Sequence, residues 1–198
     1  MLALLLLGLL SASRPFVYWG ARPALVAFEG SPGDGAAAQV LELHAARDGD
    51  HLVLRLSFDR PVQGVLRLAD GTPVSGRLKA VLYIDADDDR STGAQEGPDD
   101  LRTGAERRLE LGATALGADP DEGRDATVLV SATLHALTRD GRRRAVWRAD
   151  DEDPTRLRFY GDAVELRLAF DDIGNAGTMR LVLVSGAEAR DGRLAAER

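Results

Sequence analysis

Apolar and polar residues alternate along most of the chain that follows residue 13. Between residues 52 and 58, a leucine or phenylalanine stands at every second position, as Leu52, Leu54, Leu56 and Phe58. This period of two is typical of a strand with one buried face. A second apolar segment, 40–46, precedes it, and the Asp48-Gly49 pair between them favours a tight turn. The pattern therefore predicts a β-hairpin.

Further short apolar segments follow, separated by turns that are rich in Gly, Asp and Pro. The other predicted strands are 24–28, 64–68, 78–84, 107–111, 127–137, 144–148, 156–160, 163–170 and 179–185. No segment after residue 13 carries a helical apolar stripe over several turns. Many short strands without helices predict an all-β fold, an antiparallel β-sandwich of the immunoglobulin-like or jelly-roll-like kind.

The N-terminal pattern differs, because Leu2 to Leu10 is almost entirely apolar and the small residues 11–13 follow it. A signal peptide has this composition, although no Lys or Arg precedes Arg14. A short membrane anchor and a buried N-terminal helix are the alternatives, and the segment is shorter than the roughly 20 residues of a spanning helix. We expect an exported, periplasmic or extracellular protein, which stays membrane-anchored if the leader is not cleaved.

The remaining length fits one domain, so we divide the chain into a leader (1–13), an N-terminal strand and linker (14–35) and a sandwich (36–190). The chain has no cysteine, which excludes disulfides and thiolate ligands. Its net charge of -7 argues against a nucleic-acid partner. We interpret the basic run Arg142 to Arg144 as solvated loop charge.

The strongest chemical signal is an acidic loop directly after the apolar run 81–84. Asp85, Asp87 and Asp89 stand at every second position, and small residues with a glycine follow them. Carboxylates in this arrangement are ligands for a hard cation such as calcium. Without a cation they repel one another, so the alternative is an acidic turn that water and salt screen. We favour a structural calcium ion.

Two residues are candidates for the last carboxylate ligand of this site. Counted from Asp85, the spacing follows the EF-hand order, with Ser91 at the seventh position and Glu96 at the twelfth. An EF-hand also needs flanking helices and a glycine at the sixth position, where Arg90 stands. In a strand-to-loop site, Glu106 at the start of the next strand would close the shell instead. Glu96 and Glu106 both remain candidates.

Catalytic signatures are scarce. The chain lacks a G-x-S-x-G elbow, an H-E-x-x-H helix and a phosphate-binding glycine loop. Its three histidines, His44, His51 and His135, are interpreted as surface residues. We therefore expect no enzymatic activity. A calcium-assisted hydrolase acting on polysaccharide is the alternative, and it would need two carboxyl groups that converge in a cleft. A second alternative is a purely structural protein of the cell envelope.

Several sequence elements together resemble a known layout. They are, in order, the hairpin 40–54, Asp85-Ala86-Asp87 with Ser91-Thr92-Gly93, Gly104-Ala105-Glu106, Gly161-Asp162-Ala163, and Asp171-Asp172-Ile173-Gly174. This order resembles the secreted β-sandwich modules related to family 9 carbohydrate-binding modules and the DOMON group, in which a short strand carries a D-x-D-x-(D/N)-x-x-T-G loop. The resemblance covers roughly residues 36–185.

The resemblance implies a β-sandwich with an Asp loop. It does not identify one class of ligand, because similar modules bind sugars or haem. We expect the partner to be carbohydrate or another component of the cell envelope. Sugar-binding members stack sugar rings on exposed aromatic side chains, and Trp147 is the remaining tryptophan for that role here, since Trp19 lies close to the leader.

Overall fold

The structure is a computed structural model that describes residues 14–28, 38–59, 62, 79–95, 104–116, 127–150, 153–174, 177–185 and 188–196. The leader, the predicted strand 64–68 and Glu96 lie outside these residues. The strands are β1 (Val26–Ala27), β2 (Val40–Asp48), β3 (His51–Phe58), β4 (Lys79–Asp85), β5 (Arg107–Leu116), β6 (Thr127–Leu137), β7 (Arg143–Asp150), β8 (Leu157–Tyr160), β9 (Ala163–Ala169), β10 (Met179–Ser185) and β11 (Glu188–Leu194), with the short helix α1 (Phe170–Ile173) after β9.

The strands form two antiparallel sheets. One has the order β1-β2-β3-β9-β8, and the other has the order β11-β10-β4-β5-β6-β7. The sheets pack face to face, which confirms the predicted all-β sandwich and single domain. In the described part of the chain, no helix is long and apolar enough to cross a membrane.

One apolar core fills the space between the inner faces of the two sheets. The residues that alternate inward from β3 pack there with those of β4, β9 and β10, including Leu54, Leu82, Leu166 and Leu181. Each such side chain contributes roughly 1.5–3 kcal/mol by leaving water. The alternation along the chain therefore decides which residues face the core and which lie on the outer faces.

The β2–β3 hairpin is confirmed, with Asp48 opposite His51 and Gly49 in the left-handed region at φ 59°. Strand β11 was not predicted, and it extends the sandwich to Leu194. The charges of Arg142 to Arg144 are exposed, as interpreted, but the assignment to a loop is wrong for Arg143, and Arg144 belongs to the predicted strand 144–148. Arg143 and Arg144 open the edge strand β7, where exposed charge protects a sheet edge from pairing with another chain.

A segment before β1 covers the outer face of the five-stranded sheet. Trp19 is 6 % exposed and packs on Ala46 and Val53. Its indole N–H and the backbone N–H of Phe16 both donate to the buried carboxylate of Glu165 on β9. Residues 14–22 are thus packed against the sandwich, and this contact explains why Val53 is buried on the outward side of an alternating strand.

We predict that Trp19→Ala lowers the free energy of unfolding by about 3–5 kcal/mol, because it empties this contact and leaves the Glu165 carboxylate with one donor fewer. The neighbouring Tyr18 is 88 % exposed, so Tyr18→Ala should change stability by less than about 0.5 kcal/mol. Urea unfolding followed by tryptophan fluorescence or circular dichroism measures both. Equal effects of the two substitutions would contradict the packing of residues 14–22.

Candidate metal centre

Three carboxylates converge where β4 ends. Asp85, Asp87 and Glu106 each offer an oxygen, and these oxygens lie within 4.8 Å of one another. Asp85 is only 1 % exposed, Glu106 is partly buried and Asp87 is exposed. Two oxygens that bind one ion at about 2.4 Å are separated by at most about 4.8 Å, so the spacing is compatible with a common calcium ion.

The backbone after Asp85 curls tightly around these groups. The N–H of Asp89 donates to Oδ1 of Asp85 at 3.1 Å and to Oδ1 of Asp87 at 3.0 Å. Asp88 adopts a left-handed conformation at φ 54°, which a short polar side chain tolerates. The N–H of Ala86 donates to Oε2 of Glu106 at 2.8 Å. Backbone donors thus fix the carboxylates of all three residues.

Glu106 reaches the loop because the chain on either side of 96–103 is paired. Ala94 and Ala105 exchange two backbone hydrogen bonds, of 2.8 and 3.0 Å, in an isolated antiparallel bridge. Gly93 and Gly104 flank the bridge with φ near 57° and 58°. A Cβ on Gly93 would lie 2.3 Å from the carbonyl oxygen of Gly104 and 2.5 Å from Oε1 of Glu106. Only glycine fits at this close approach.

This loop also covers the outer face of the six-stranded sheet. Ala94 and Ala105 pack there on Val81, Tyr83 and Val182 in a small apolar cluster. Their packing explains why β10 is apolar on both faces. It also removes Asp85 from water, since Asp85 points to the same outer side of β4 as Val81 and Tyr83.

Among the described residues, the charged groups that shift the pKa of Asp85 are carboxylates. Burial raises its pKa most, and the Asp87 carboxyl, with which it can share a proton, and the charge of Glu106 add to this effect, so that the pKa is about 7. Burial also raises the pKa of Glu106. With the carboxylates ionised, Oδ2 of Asp85 is buried and has no hydrogen-bond partner in the described part of the chain.

Nearby arginines bind other carboxylates. Arg180 lies opposite Asp85 in the β4–β10 register, yet its Nε donates to Asp191 on β11 at 2.8 Å. Arg90 also contacts Asp191, at 3.5 Å, and Arg193 contacts Asp88 at 3.1 Å. Among the described residues, the three converging carboxylates therefore accept hydrogen bonds from backbone N–H and hydroxyl donors, and the group has the spacing to hold a cation.

The structure brings together some of the predicted ligands and separates others. Asp85, Asp87 and Glu106 converge, whereas Oδ1 of Asp89 accepts the N–H and hydroxyl of Ser91 at 2.9 and 2.7 Å. These bonds lower the pKa of Asp89 and hold its carboxylate in a local turn. Glu96 lies outside the described residues.

Sequence reasoning missed Thr92 as a member of the site. Its hydroxyl lies 3.0 Å from Oδ2 of Asp87 and 3.3 Å from Oε1 of Glu106. The Thr-Gly pair after the aspartates was the available signal, but the contact with Glu106 depends on the Ala94–Ala105 bridge. Thr92 thus links the two ends of the loop.

The remaining candidates lie elsewhere. Trp147 is partly buried against the core, and the guanidinium carbon of Arg156 lies 5.1 Å from the centre of its ring. Among the residues that the structure describes, no histidine belongs to a group of potential metal ligands. His44 contacts Glu42 at 3.1 Å, and His135 lies 3.7 Å from Glu110.

Comparisons with known protein families, curated proteins and solved structures found no match. The resemblance to family 9 carbohydrate-binding modules and DOMON domains therefore stays a prediction, and the site has to be interpreted from its own geometry.

We predict that Gly93→Ala destabilises the protein by about 1–3 kcal/mol more than Gly49→Ala does. Both glycines have φ near 60°, so both substitutions carry the strain of a left-handed alanine. A Cβ on Gly49 meets nothing within 4 Å, whereas on Gly93 it collides with backbone and with Glu106. Denaturant unfolding measures the difference, and equal losses would contradict the close approach at Gly93.

We also predict that the metal-free protein loses stability as the pH rises from about 4 to about 7. Over that range folded Asp85, with its pKa near 7, retains a proton that the unfolded chain, with its pKa near 3.8, has released. Asp85→Asn should flatten this slope and raise the metal-free midpoint at pH 8. Urea unfolding in EDTA at several pH values measures both. Parallel profiles of wild type and variant would contradict the burial of an ionisable Asp85.

Proposed function

We propose that the chain is an exported, non-catalytic β-sandwich binding module whose Asp85, Asp87 and Glu106 hold a structural calcium ion. The observation that carries this proposal is the buried carboxylate of Asp85, whose Oδ2 lacks a partner among the described residues while two further carboxylates approach it. A buried, unpaired charge is costly, and a cation among three carboxylates removes that cost.

The donor set favours calcium over other common metals. All the converging ligands are oxygens, and neither a histidine nor a cysteine belongs to the cluster, so the site differs from those preferred by zinc or copper. Magnesium requires near-octahedral geometry at 2.0–2.1 Å, whereas calcium accepts irregular shells of six to eight oxygens. Water could supply the remaining ligands on the exposed side of Asp87.

The surroundings favour a structural role for the ion. The groups that contact the carboxylates are backbone N–H groups and the Thr92 hydroxyl, and Ala94 and Ala105 pack beside them. The ion would join the end of β4, the acidic loop and the start of β5. If the calcium concentration exceeds Kd a hundredfold, binding adds roughly 2.7 kcal/mol to stability.

The test is thermal unfolding of the protein in EDTA, in calcium and in magnesium. Calcium should raise the midpoint by roughly 5–10 °C, as expected for about 2.7 kcal/mol in a domain of this size, and magnesium should raise it less. Asp87→Asn should abolish the calcium shift. Asp171→Asn is the matched control, because it removes one exposed carboxylate outside the cluster and should retain the shift.

Two results would overturn the proposal. One is a wild-type midpoint that is the same in calcium and in EDTA. The other is an equal calcium shift in the wild type and the Asp87→Asn variant, because that would place the ion elsewhere.

A further inference from the structure

The outer face of the six-stranded sheet carries a cleft of about 310 Å³ across β4, β5 and β6. Its polar lining comes from Arg108, Glu110, Ser131 and Thr133. Val81 borders the cleft and stands four residues before Asp85 on the same strand, about 13 Å away along the sheet. The cleft is therefore separate from the carboxylate cluster.

Cross-strand pairing explains why the sheet is indented here. Gly112 of β5 lies opposite Ser131 of β6, so these two central strands carry only a hydrogen and a small hydroxyl group in this row of the sheet. The next row carries Glu110 and Thr133, with Arg148 of β7 opposite Thr133. The smallest residues thus form the floor, and longer polar residues form one wall.

Among the side chains that the structure describes around the cleft, arginines outnumber acidic residues, although the whole chain carries a net charge of -7. Glu110 is the acidic member, and its Oε1 lies 3.0 Å from Arg108 and 3.5 Å from Arg143. Arg148 is exposed and forms no ion pair with any residue that the structure describes. Arg108 and Arg143 therefore share the Glu110 carboxylate, whereas Arg148, opposite Thr133, has a guanidinium group that an anionic ligand complements.

The groups available at the floor of the cleft favour a sugar over a peptide as ligand. Strands β5 and β6 are paired on both sides, so their backbone groups are used in the sheet and cannot pair with an added strand. What remains are the Ser131 and Thr133 hydroxyls, the Glu110 carboxylate and guanidinium donors. Hydroxyl groups on a ring can both donate to and accept from this set, and a ring carboxylate fits the arginines.

We infer that this cleft binds a carboxylate-bearing sugar, such as a uronate unit of an acidic polysaccharide. The arginines would bind the carboxylate, and Ser131, Thr133 and Glu110 would bind the ring hydroxyls. This inference rests on the proposed binding role of the module, and it does not require the calcium ion.

The test is isothermal titration calorimetry with trigalacturonate at physiological ionic strength, with the methyl-esterified trisaccharide and a short oligoglutamate as comparison ligands. Wild type should bind trigalacturonate, and esterification or Arg148→Glu should weaken binding about tenfold or more, as the loss of a charged hydrogen bond does. Thr133→Val should weaken it about threefold. Circular dichroism verifies that each variant is folded.

Arg139→Glu is the matched control. Arg139 is also exposed and unpaired in the described part of the chain, but it lies in the β6–β7 turn, about 20 Å along β6 from Thr133. This substitution changes the net charge by the same amount and should change the affinity by less than about twofold if the cleft, and not the net charge, determines binding.

Each of four results would overturn the inference: no binding of trigalacturonate, equal binding of its ester, preference for oligoglutamate, or equal loss in Arg148→Glu and Arg139→Glu. Titration of folded Asp87→Asn separates this inference from the calcium proposal. That variant should retain sugar binding whether or not calcium binds, so a failed calcium shift and a failed titration are distinguishable.

Discussion

The packing of two apolar sheet faces determines what the rest of the molecule can do. Because residues alternate in a strand, each residue that fills the core, such as Leu82 or Leu181, places its neighbours on an outer face. A polar side chain there is normally solvated. It becomes buried only where another segment folds over the sheet, as residues 14–22 do on one side and the acidic loop does on the other. The first segment covers Glu165, and the second lies beside Asp85.

Asp85 differs from the other buried charged residues in its partners. Three charged residues in the described part of the chain are fully buried: Asp85, Glu165 and Arg180. Glu165 accepts two N–H donors from the segment that covers it, and Arg180 pairs with Asp191. Asp85 faces other carboxylates, although burial is expensive for an ionised group without compensation. Protonation of Asp85 and binding of a cation are the two ways to reduce this cost. Calcium fits the second, because Asp87 and Glu106 also contribute oxygen ligands.

The sequence was informative where local chemistry decides the structure. Alternation predicted β3, and the aspartate spacing indicated Asp85 and Asp87. It was uninformative for β11, whose segment Glu188–Leu194 has charged residues at most positions and becomes a strand by pairing with β10. The assignment of Asp89 and Ser91 to the ion stays a prediction, and in the structure the N–H and hydroxyl of Ser91 donate to Asp89 in a local turn. Thr92 depends on a bridge between chain segments, which no local pattern encodes.

Contacts within the chain hold the loop on two sides. Arg193 binds Asp88, and Arg90 reaches the same Asp191 that pairs with buried Arg180, so β11 holds the acidic loop from one side. The Ala94–Ala105 bridge holds it from the other. The carboxylates are thus preorganised, and an ion that binds them would lose little free energy to ordering the chain. Small zinc domains differ, because they are unfolded without their metal. In this sandwich, the sheets form the fold, and an ion would relieve the like-charge repulsion that the loop has already enforced.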